Sequence, residues 1–419
     1  MIYLTATGRN DWDSRLAFSD YKSFFYPSIG LSAILTSMFN APDWLTYLKV
    51  RGSYTEVGNS YGRFMTTVTY PYDEQTQSWT STSSYPNTKL KPERTKSWEV
   101  GLDARILNDI SLNLTYYRSN TYNQTFYADL SLSSGYSNIP IQSGNIMNEG
   151  LEMSLGYNKQ WKDFSFNTNY TLTWNKNRVK RLADGVYNYA NGQPIPMPEL
   201  SPLTYGHTDA RLILRVGGSM GDVYGQRLLK RDLNGYILNE EGVGLAMENK
   251  ETYLGSILPK MNMGWSLGFG YKGVNLGMTF TGRFGGIVIS ETQSVLDAAG
   301  VSKVSADVRD AGGVQINQSK VSAQTYYQTI QGTAAYYTYS ATNVRLGELS
   351  LSYTLPKKWF DNKVGMTVGL VGQHLWMIDC KAPLDPELTT SAASNFYQGF
   401  DAYMLPSTRN FGFNVKFQF

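Results

Sequence analysis

Residues able to do covalent chemistry are scarce in this chain. Its 419 residues include two histidines, His207 and His374, and one cysteine, Cys380. A lone cysteine excludes an intramolecular disulfide and a cysteine-based zinc site. Two histidines are too few for a His-rich metal centre. A serine hydrolase needs an outward-facing Ser and His side by side near the outer rim, held by a carboxylate, and the spacing assigns no such pair. Asp232-Leu233-Asn234-Gly235-Tyr236 resembles a calcium loop, but its glycine comes too early for EF-hand spacing. Asn234-Gly235 reads better as a hairpin turn. Gly217-Gly218-Ser219-Met220-Gly221 is glycine-rich, yet lacks the Lys and the helix a phosphate loop requires, so it reads as an ordinary loop. No catalytic residue, metal site or cofactor site is assigned. The chain is not read as an enzyme.

Binding chemistry is better represented. Aromatics make up 14% of the residues, and tyrosines alone number 31. Trp79, Tyr85, Tyr187, Tyr189, Tyr326 and Tyr327 lie in long polar connectors, where a flat face with a polar tip suits ligand contact. The other reading, which stays open, is that these rings pack the connectors against one another.

The elements that must position these residues are extended. About twelve segments read as strands, near 1–12, 24–37, 44–58, 95–107, 110–121, 147–159, 163–178, 261–272, 274–289, 342–355, 363–378 and 409–419. Their faces alternate with period two. Phe164, Phe166, Thr168, Tyr170, Leu172 and Trp174 lie opposite Ser165, Asn167, Asn169, Thr171, Thr173 and Asn175. Trp98, Val100, Leu102 and Ala104 likewise oppose Glu99, Gly101, Asp103 and Arg105. Connectors are alternately short and long along the whole chain. Short ones fall near 40–43, 108–109, 160–161, 272–273 and 356–362. Long ones fall near 13–23, 59–94, 122–146, 179–260, 290–341 and 379–408.

That parity is expected of an outer-membrane β-barrel, with tight turns inside and long loops outside. A face without charge suits hydrocarbon, where Arg or Lys costs roughly 2–4 kcal/mol at the midplane. Tyr157, Phe164, Tyr271 and Tyr353 flank the short turns, while Trp98, Tyr116, Trp174 and Trp376 lie near the long loops. Two aromatic belts are therefore expected. The segment 342–355 breaks phase, which predicts a β-bulge near Gly347-Glu348. Phe413, Val415, Phe417 and Phe419 end the chain as a final amphipathic strand with a terminal Phe.

Composition agrees. Charged residues are 17% and the formal net charge is +3, with no basic run to suggest nucleic acid. No apolar run reaches the roughly 20 residues of a transmembrane helix. Met1 opens directly on a strand-like Ile2-Tyr3-Leu4-Thr5-Ala6-Thr7 with no signal peptide. The expectation is a mature or truncated chain or, preferably, one piece of a longer protein.

Several phrases carry a family resemblance. They include Arg9-Asn10-Asp11-Trp12 with Phe25-Tyr26-Pro27-Ser28-Ile29-Gly30, Lys49-Val50-Arg51-Gly52-Ser53-Tyr54, and Leu90-Lys91-Pro92-Glu93. Further on come Gly144-Asn145-Ile146-Met147-Asn148-Glu149-Gly150-Leu151-Glu152, Val344-Arg345-Leu346 and Leu384-Asp385-Pro386-Glu387. In their order and spacing the chain resembles the C-terminal barrel portion of a SusC/RagA-like TonB-dependent transporter. One small departure is His374, where the family phrase more often has Asn.

The resemblance implies a barrel of about 22 strands with an N-terminal plug, of which residues 1–419 supply the second half. It implies a SusD-like surface lipoprotein as lid, TonB acting through the plug, and an oligosaccharide or peptide substrate. The plug, the TonB box and the early strands lie outside this chain on that reading. The implied location is the Gram-negative outer membrane, with lipid as a partner and no nucleic acid. Two alternatives remain: a self-contained twelve-strand barrel acting as a passive pore or adhesin, and a soluble β-rich binding protein.

Overall fold

The computed structural model describes residues 1–142, 144–182, 199–240, 244–316, 319–388, 390–391 and 395–419. Twelve amphipathic segments form one sheet in which each strand lies beside its neighbours in sequence. They are β1 (Ile2–Trp12), β2 (Ser23–Ile34), β3 (Leu45–Asn59), β4 (Glu93–Ile106), β5 (Ile110–Tyr122) and β6 (Asn145–Trp161). There follow β7 (Phe164–Arg181), β8 (Met261–Tyr271), β9 (Val274–Phe284), β10 (Asn343–Thr354), β11 (Gly365–Cys380) and β12 (Asn410–Gln418). All twelve expected strands are present. Pairing is antiparallel, for example Ile2↔Ala33 through Trp12↔Ser23 and Met261↔Phe284 through Tyr271↔Val274.

The short connectors turn tightly because their residues accept positive φ. Leu107 and Asn108 sit at φ 52° and 61°, Lys272 and Gly273 at 46° and 89°. Left-handed residues at such positions match the twist of the flanking strands. The bulge also appears: Thr279 faces Glu348 and Phe280 faces Leu346, leaving Gly347 as the extra residue. Opposite it, β11 carries its own irregularity at His374, φ 53°.

Two expectations need correction. The segment 274–289 is not one strand, because Gly285 and Gly286 at φ 77° and 83° break it. Ile287–Ser290 instead pairs with Thr338–Ser340 and with Phe400–Asp401. The segment 24–37 likewise ends as a strand at Ile34, and Leu35–Ser37 form a helical turn.

Burial concentrates in the connectors rather than in the sheet. The apolar stripes of the strands stay open, as at Leu4 (69% exposed), Val100 (57%), Leu370 (64%) and Phe413 (81%). Among the described residues no second sheet covers them. A soluble sandwich buries such stripes against a facing layer, so this is a one-layer sheet whose oily side awaits another solvent.

By internal contacts the chain divides into two units. One comprises Met1–Tyr157, Thr171–Pro202 and Leu214–Met220; the other comprises Asn158–Tyr170, Leu203–Ile213 and Gly221–Phe419. In the first, Leu16, Phe24, Tyr61 and Leu90 form a small core. The second holds two clusters, one around Tyr205, Leu212, Val223, Ile257, Ile289 and Phe400, the other around Leu229, Ile316, Tyr327, Ile330 and Tyr337. Three short helices support the latter clusters: α1 (Glu291–Ala298), α2 (Lys303–Asp310) and α3 (Ala323–Ile330). Each begins with a serine cap, Ser290, Ser302 or Ser322, whose hydroxyl accepts from the amide three residues on.

Gly150 shows how tightly the polar side of the first unit is filled. A Cβ there would lie 2.5 Å from the Trp174 carbonyl oxygen and 2.6 Å from the Tyr117 hydroxyl. One of these is backbone and cannot rotate away. Gly150→Ala is therefore expected to cost about 1–3 kcal/mol, read as a lower denaturant midpoint for loss of the heat-modifiable folded band. An unchanged midpoint would show that the two strands separate freely.

Candidate functional site

The polar face of the first unit is built from alternate residues of adjacent strands. In β3 to β5 the register sets Arg51 opposite Gly101, and Asp103 opposite Asn113. Arg51 Nη1 donates to both carboxylate oxygens of Asp103 at 2.8 and 2.7 Å, and its Nη2 donates to Thr115 Oγ1 at 2.5 Å. Asn113 Nδ2 donates to the same carboxylate. Gly101 makes room for the guanidinium, since a Cβ there would stand 2.6 Å from Arg51 Nε. A cleft of about 420 Å³ opens beside this network, lined by Tyr47, Asp103, Arg105, Asn113 and Ser154. Arg105 lies over the Tyr47 ring at 5.8 Å. The surface offers donors and acceptors to water and polar solutes.

The outer connectors of this unit are tied together by hydrogen bonds to main-chain carbonyls. Tyr85 N donates to Asn138 O at 2.8 Å, and Asn87 Nδ2 donates to Pro140 O at 2.9 Å. The Tyr85 ring meets Tyr136 edge-on at 5.1 Å and remains 37% exposed. Trp79 ends a two-residue strand pairing with Tyr72–Asp73, tilts against the Tyr72 ring at 5.1 Å, and is 70% exposed. Asp13 anchors the first long loop. Its carboxyl is held well below the usual range by hydrogen bonds from Arg15 and then from Ser60.

In the second unit the loop rings behave differently. Tyr326 and Tyr327 lie on α3 and meet edge-on at 5.2 Å. Tyr327 is 6% exposed, a member of the buried cluster, and Tyr326 packs against it. Tyr187 and Tyr189 lie outside the described residues. Asp209 joins three segments by accepting from the amides of Gln226, Arg227 and Ala334 at 3.0, 2.7 and 2.7 Å. Gly235, at φ 84°, sits in the turn closed by Arg231 and Ile237, and Asp232 Oδ1 accepts from the Asn234 and Tyr236 amides. His207 and His374 are both exposed, the first in a loop and the second in the β11 irregularity.

A well-enclosed ion pair of this unit joins Arg345 of β10 to Asp385. Arg345 Nη2 and Nη1 donate to its two oxygens at 2.8 and 3.0 Å, with only 8% and 9% of the side chains exposed. Glu387 stands 3.3 Å away, and Asn343 Oδ1 accepts from the same guanidinium.

Residues 2–237 match the family model described as "TonB dependent receptor-like, beta-barrel". The chain belongs to this family. Among curated relatives, TonB-dependent receptor P3 of Formosa agariphila is 25% identical over 99% of this chain and 44% of its own length. TonB-dependent receptor SusC of Bacteroides thetaiotaomicron is 27% identical over 36% of this chain and 14% of its own length. Among solved structures, the RagAB peptide importer in its "open-open" state superposes with a TM-score of 0.71 at 20% identity, covering 99% of this chain and 44% of that one. That likeness shows the shared fold. The chain spans under half the length of the curated relatives that match it along its whole length.

The family is one of outer-membrane receptor barrels and not of enzymes, and the apolar middle of the strand face suits lipid. The network on the opposite face was only half legible. The charges on alternate residues were visible, but which donor meets which acceptor depends on register. Arg345 and Asp385 both fell in resembling phrases, yet nothing local joined them. Burial alone would raise the Asp385 carboxyl; the bonds from Arg345 and from the Glu387 amide outweigh it and hold that carboxyl below its usual range. A depressed carboxyl contributes stability above its unfolded value of about 3.9 and loses it as pH falls through the folded value. Loop 381–388 is thus expected to resist trypsin at pH 7 and to open progressively as the pH is lowered beneath the ordinary carboxylate range. Hydrogen exchange at matched pH reads the change.

Proposed function

We propose that this chain forms the C-terminal part of the wall of a TonB-dependent importer that carries oligosaccharides or peptides across the outer membrane. The observation that carries the reading is the extent of the match: the chain aligns along 99% of its length with 44% of TonB-dependent receptor P3. The twelve strands then make up part of a larger wall. A plug and the earlier strands complete the barrel on this reading, in the same polypeptide or a separate one. TonB acts through the plug, and a SusD-like lipoprotein closes over the long loops. The SusC and RagAB likenesses support that assembly. The polar face supplies a wet wall for the solute. Trp79 and Tyr85 are the first candidates to touch substrate or lid, while Tyr326 and Tyr327 act through the loop core; Tyr187 and Tyr189 complete the set.

Uptake in the native host tests this. Import of the cognate oligosaccharide or peptide is expected to stop when TonB is deleted. Trp79→Ala is expected to weaken capture several-fold, on the order of 1–2 kcal/mol for one exposed ring. Undiminished import without TonB, together with steady conductance of the purified protein in bilayers, points instead to a passive pore.

A further inference from the structure

The lipid-facing side of the first unit carries charges that neither the barrel wall nor solute passage requires. Toward their outer ends the outward stripes reach aromatic rings: Tyr54 in β3, Trp98 in β4, Tyr116 in β5 and Trp174 in β7. Tyr54 lies opposite Trp98, and the Trp98 and Tyr116 rings are 5.4 Å apart. Continuing outward on the same faces come Lys96 and Arg94 in β4, Arg118 in β5, and Lys176, Arg178 and Lys180 in β7. Even spacing from the rings keeps each on the lipid-facing side. Register agrees, since Trp98 faces Arg118 and Arg118 faces Glu149.

Two carboxylates share this band. Glu56 lies 3.4 Å from Arg94 and 3.2 Å from Lys96, and accepts from the Tyr54 hydroxyl; Glu149 lies 3.9 Å from Lys176. Among the described residues, six cations against two carboxylates leave a positive excess. The nearest cations stand one side-chain pair beyond the rings, about 7 Å along the strand. In the other unit the corresponding outward positions are Phe284, Val344, Trp376 and Ile378, with Asp379 opposite Val344 and, among the described residues at these strand ends, the cation Arg409 two residues before Phe411. The band is therefore local and not a general property of the rim.

We propose that this band is a binding site for the phosphorylated headgroup of an outer-leaflet glycolipid. The aromatic belt sets the depth at which acyl chains give way to headgroups. Cations directly above it, on the side facing lipid, lie at the level of the headgroup phosphates. Lys and Arg stems cover apolar surface while their heads reach the phosphates, and Arg grips phosphate with paired donors. Continuity with the lipid-facing surface selects a lipid over a soluble anion. The site requires outer-membrane placement and is independent of what the protein imports.

Native mass spectrometry of the protein, purified in mild detergent from its own outer membrane, tests the site. The expected result is retained phosphorylated glycolipid. Retention should weaken by roughly a hundredfold or more in the Lys96→Gln, Arg118→Gln, Lys176→Gln, Arg178→Gln variant. Should that variant fail to fold, Lys176→Gln with Arg178→Gln alone should still weaken it by about tenfold. Added dephosphorylated lipid should bind poorly, and millimolar inorganic phosphate should not displace the native lipid. Equal retention by the variants, or equal binding of the dephosphorylated lipid, overturns the proposal. Displacement by inorganic phosphate also overturns it, in favour of a soluble-anion site.

Discussion

Arg345→Ala is expected to cost about 3–5 kcal/mol, because it strands a buried carboxylate. Asp385 has one cationic partner at hydrogen-bond distance, and the pair is more than nine-tenths enclosed. Removing the guanidinium also takes the donors from Asn343 Oδ1, a residue with no exposed surface. The mutant can relieve the stranded charge only by opening loop 381–388 to water or by protonating Asp385. Either route loosens the connector between β11 and β12. Trypsin cleavage after Lys381 should accelerate sharply at pH 7, while the sheet itself keeps its heat-modifiable mobility. Arg345→Lys should rescue part of the loss, since an ammonium cannot grip both oxygens in a fork. Identical cleavage rates in wild type and Arg345→Ala would mean that the pair does not hold this loop.

Two neighbouring residues of β5 should respond in opposite ways to the same substitution. Leu114 faces Leu102 on one side and Met153 on the other, in the uncharged middle of the outward stripe. Leu114→Arg places a cation among acyl chains, at roughly 2–4 kcal/mol, and should sharply reduce the folded protein recovered from outer membranes. Asn113 lies one residue away on the polar side, where it already donates to Asp103. Asn113→Arg adds a cation beside that carboxylate and should leave assembly near the wild-type level. If the two variants assemble equally well, or Leu114→Arg is the better of the pair, the facing assigned to the whole sheet is wrong.

The contrast between those residues explains why the sheet was legible early. A strand's facing is a local property with two states, and alternation along β4, β5, β6 and β7 selects one of them directly. Connector length is also read residue by residue, and so is the phase break that announced the Gly347 bulge. The end of β9 was misjudged because Ile287, Val288 and Ile289 carry strand-like side chains. Only the positive φ of Gly285 and Gly286 and the pairing with Thr338–Ser340 show that they belong to another layer. The helices left a fainter trace: Ser290 and Gln293 have the spacing of a capped first turn, but eight residues of α1 are too few for a clear helical period.

For the candidate site the division falls in the same place. Abundant loop aromatics were evident, yet their roles separate only by burial. Trp79 projects into solvent, whereas Tyr327 is enclosed by Ile316, Ile330 and Tyr337. Arg51 and Asp103 meet across 52 residues, and Arg345 and Asp385 across 40. The amino-acid order alone determined the twelve strands, their two faces, the alternation of turn and loop, and hence the membrane as solvent, because each follows from short-range periodicity. Cross-strand register, the cores inside the long loops and the partner of every charge were settled only by tertiary structure, since they depend on contacts between residues too distant in the chain for any local pattern to encode.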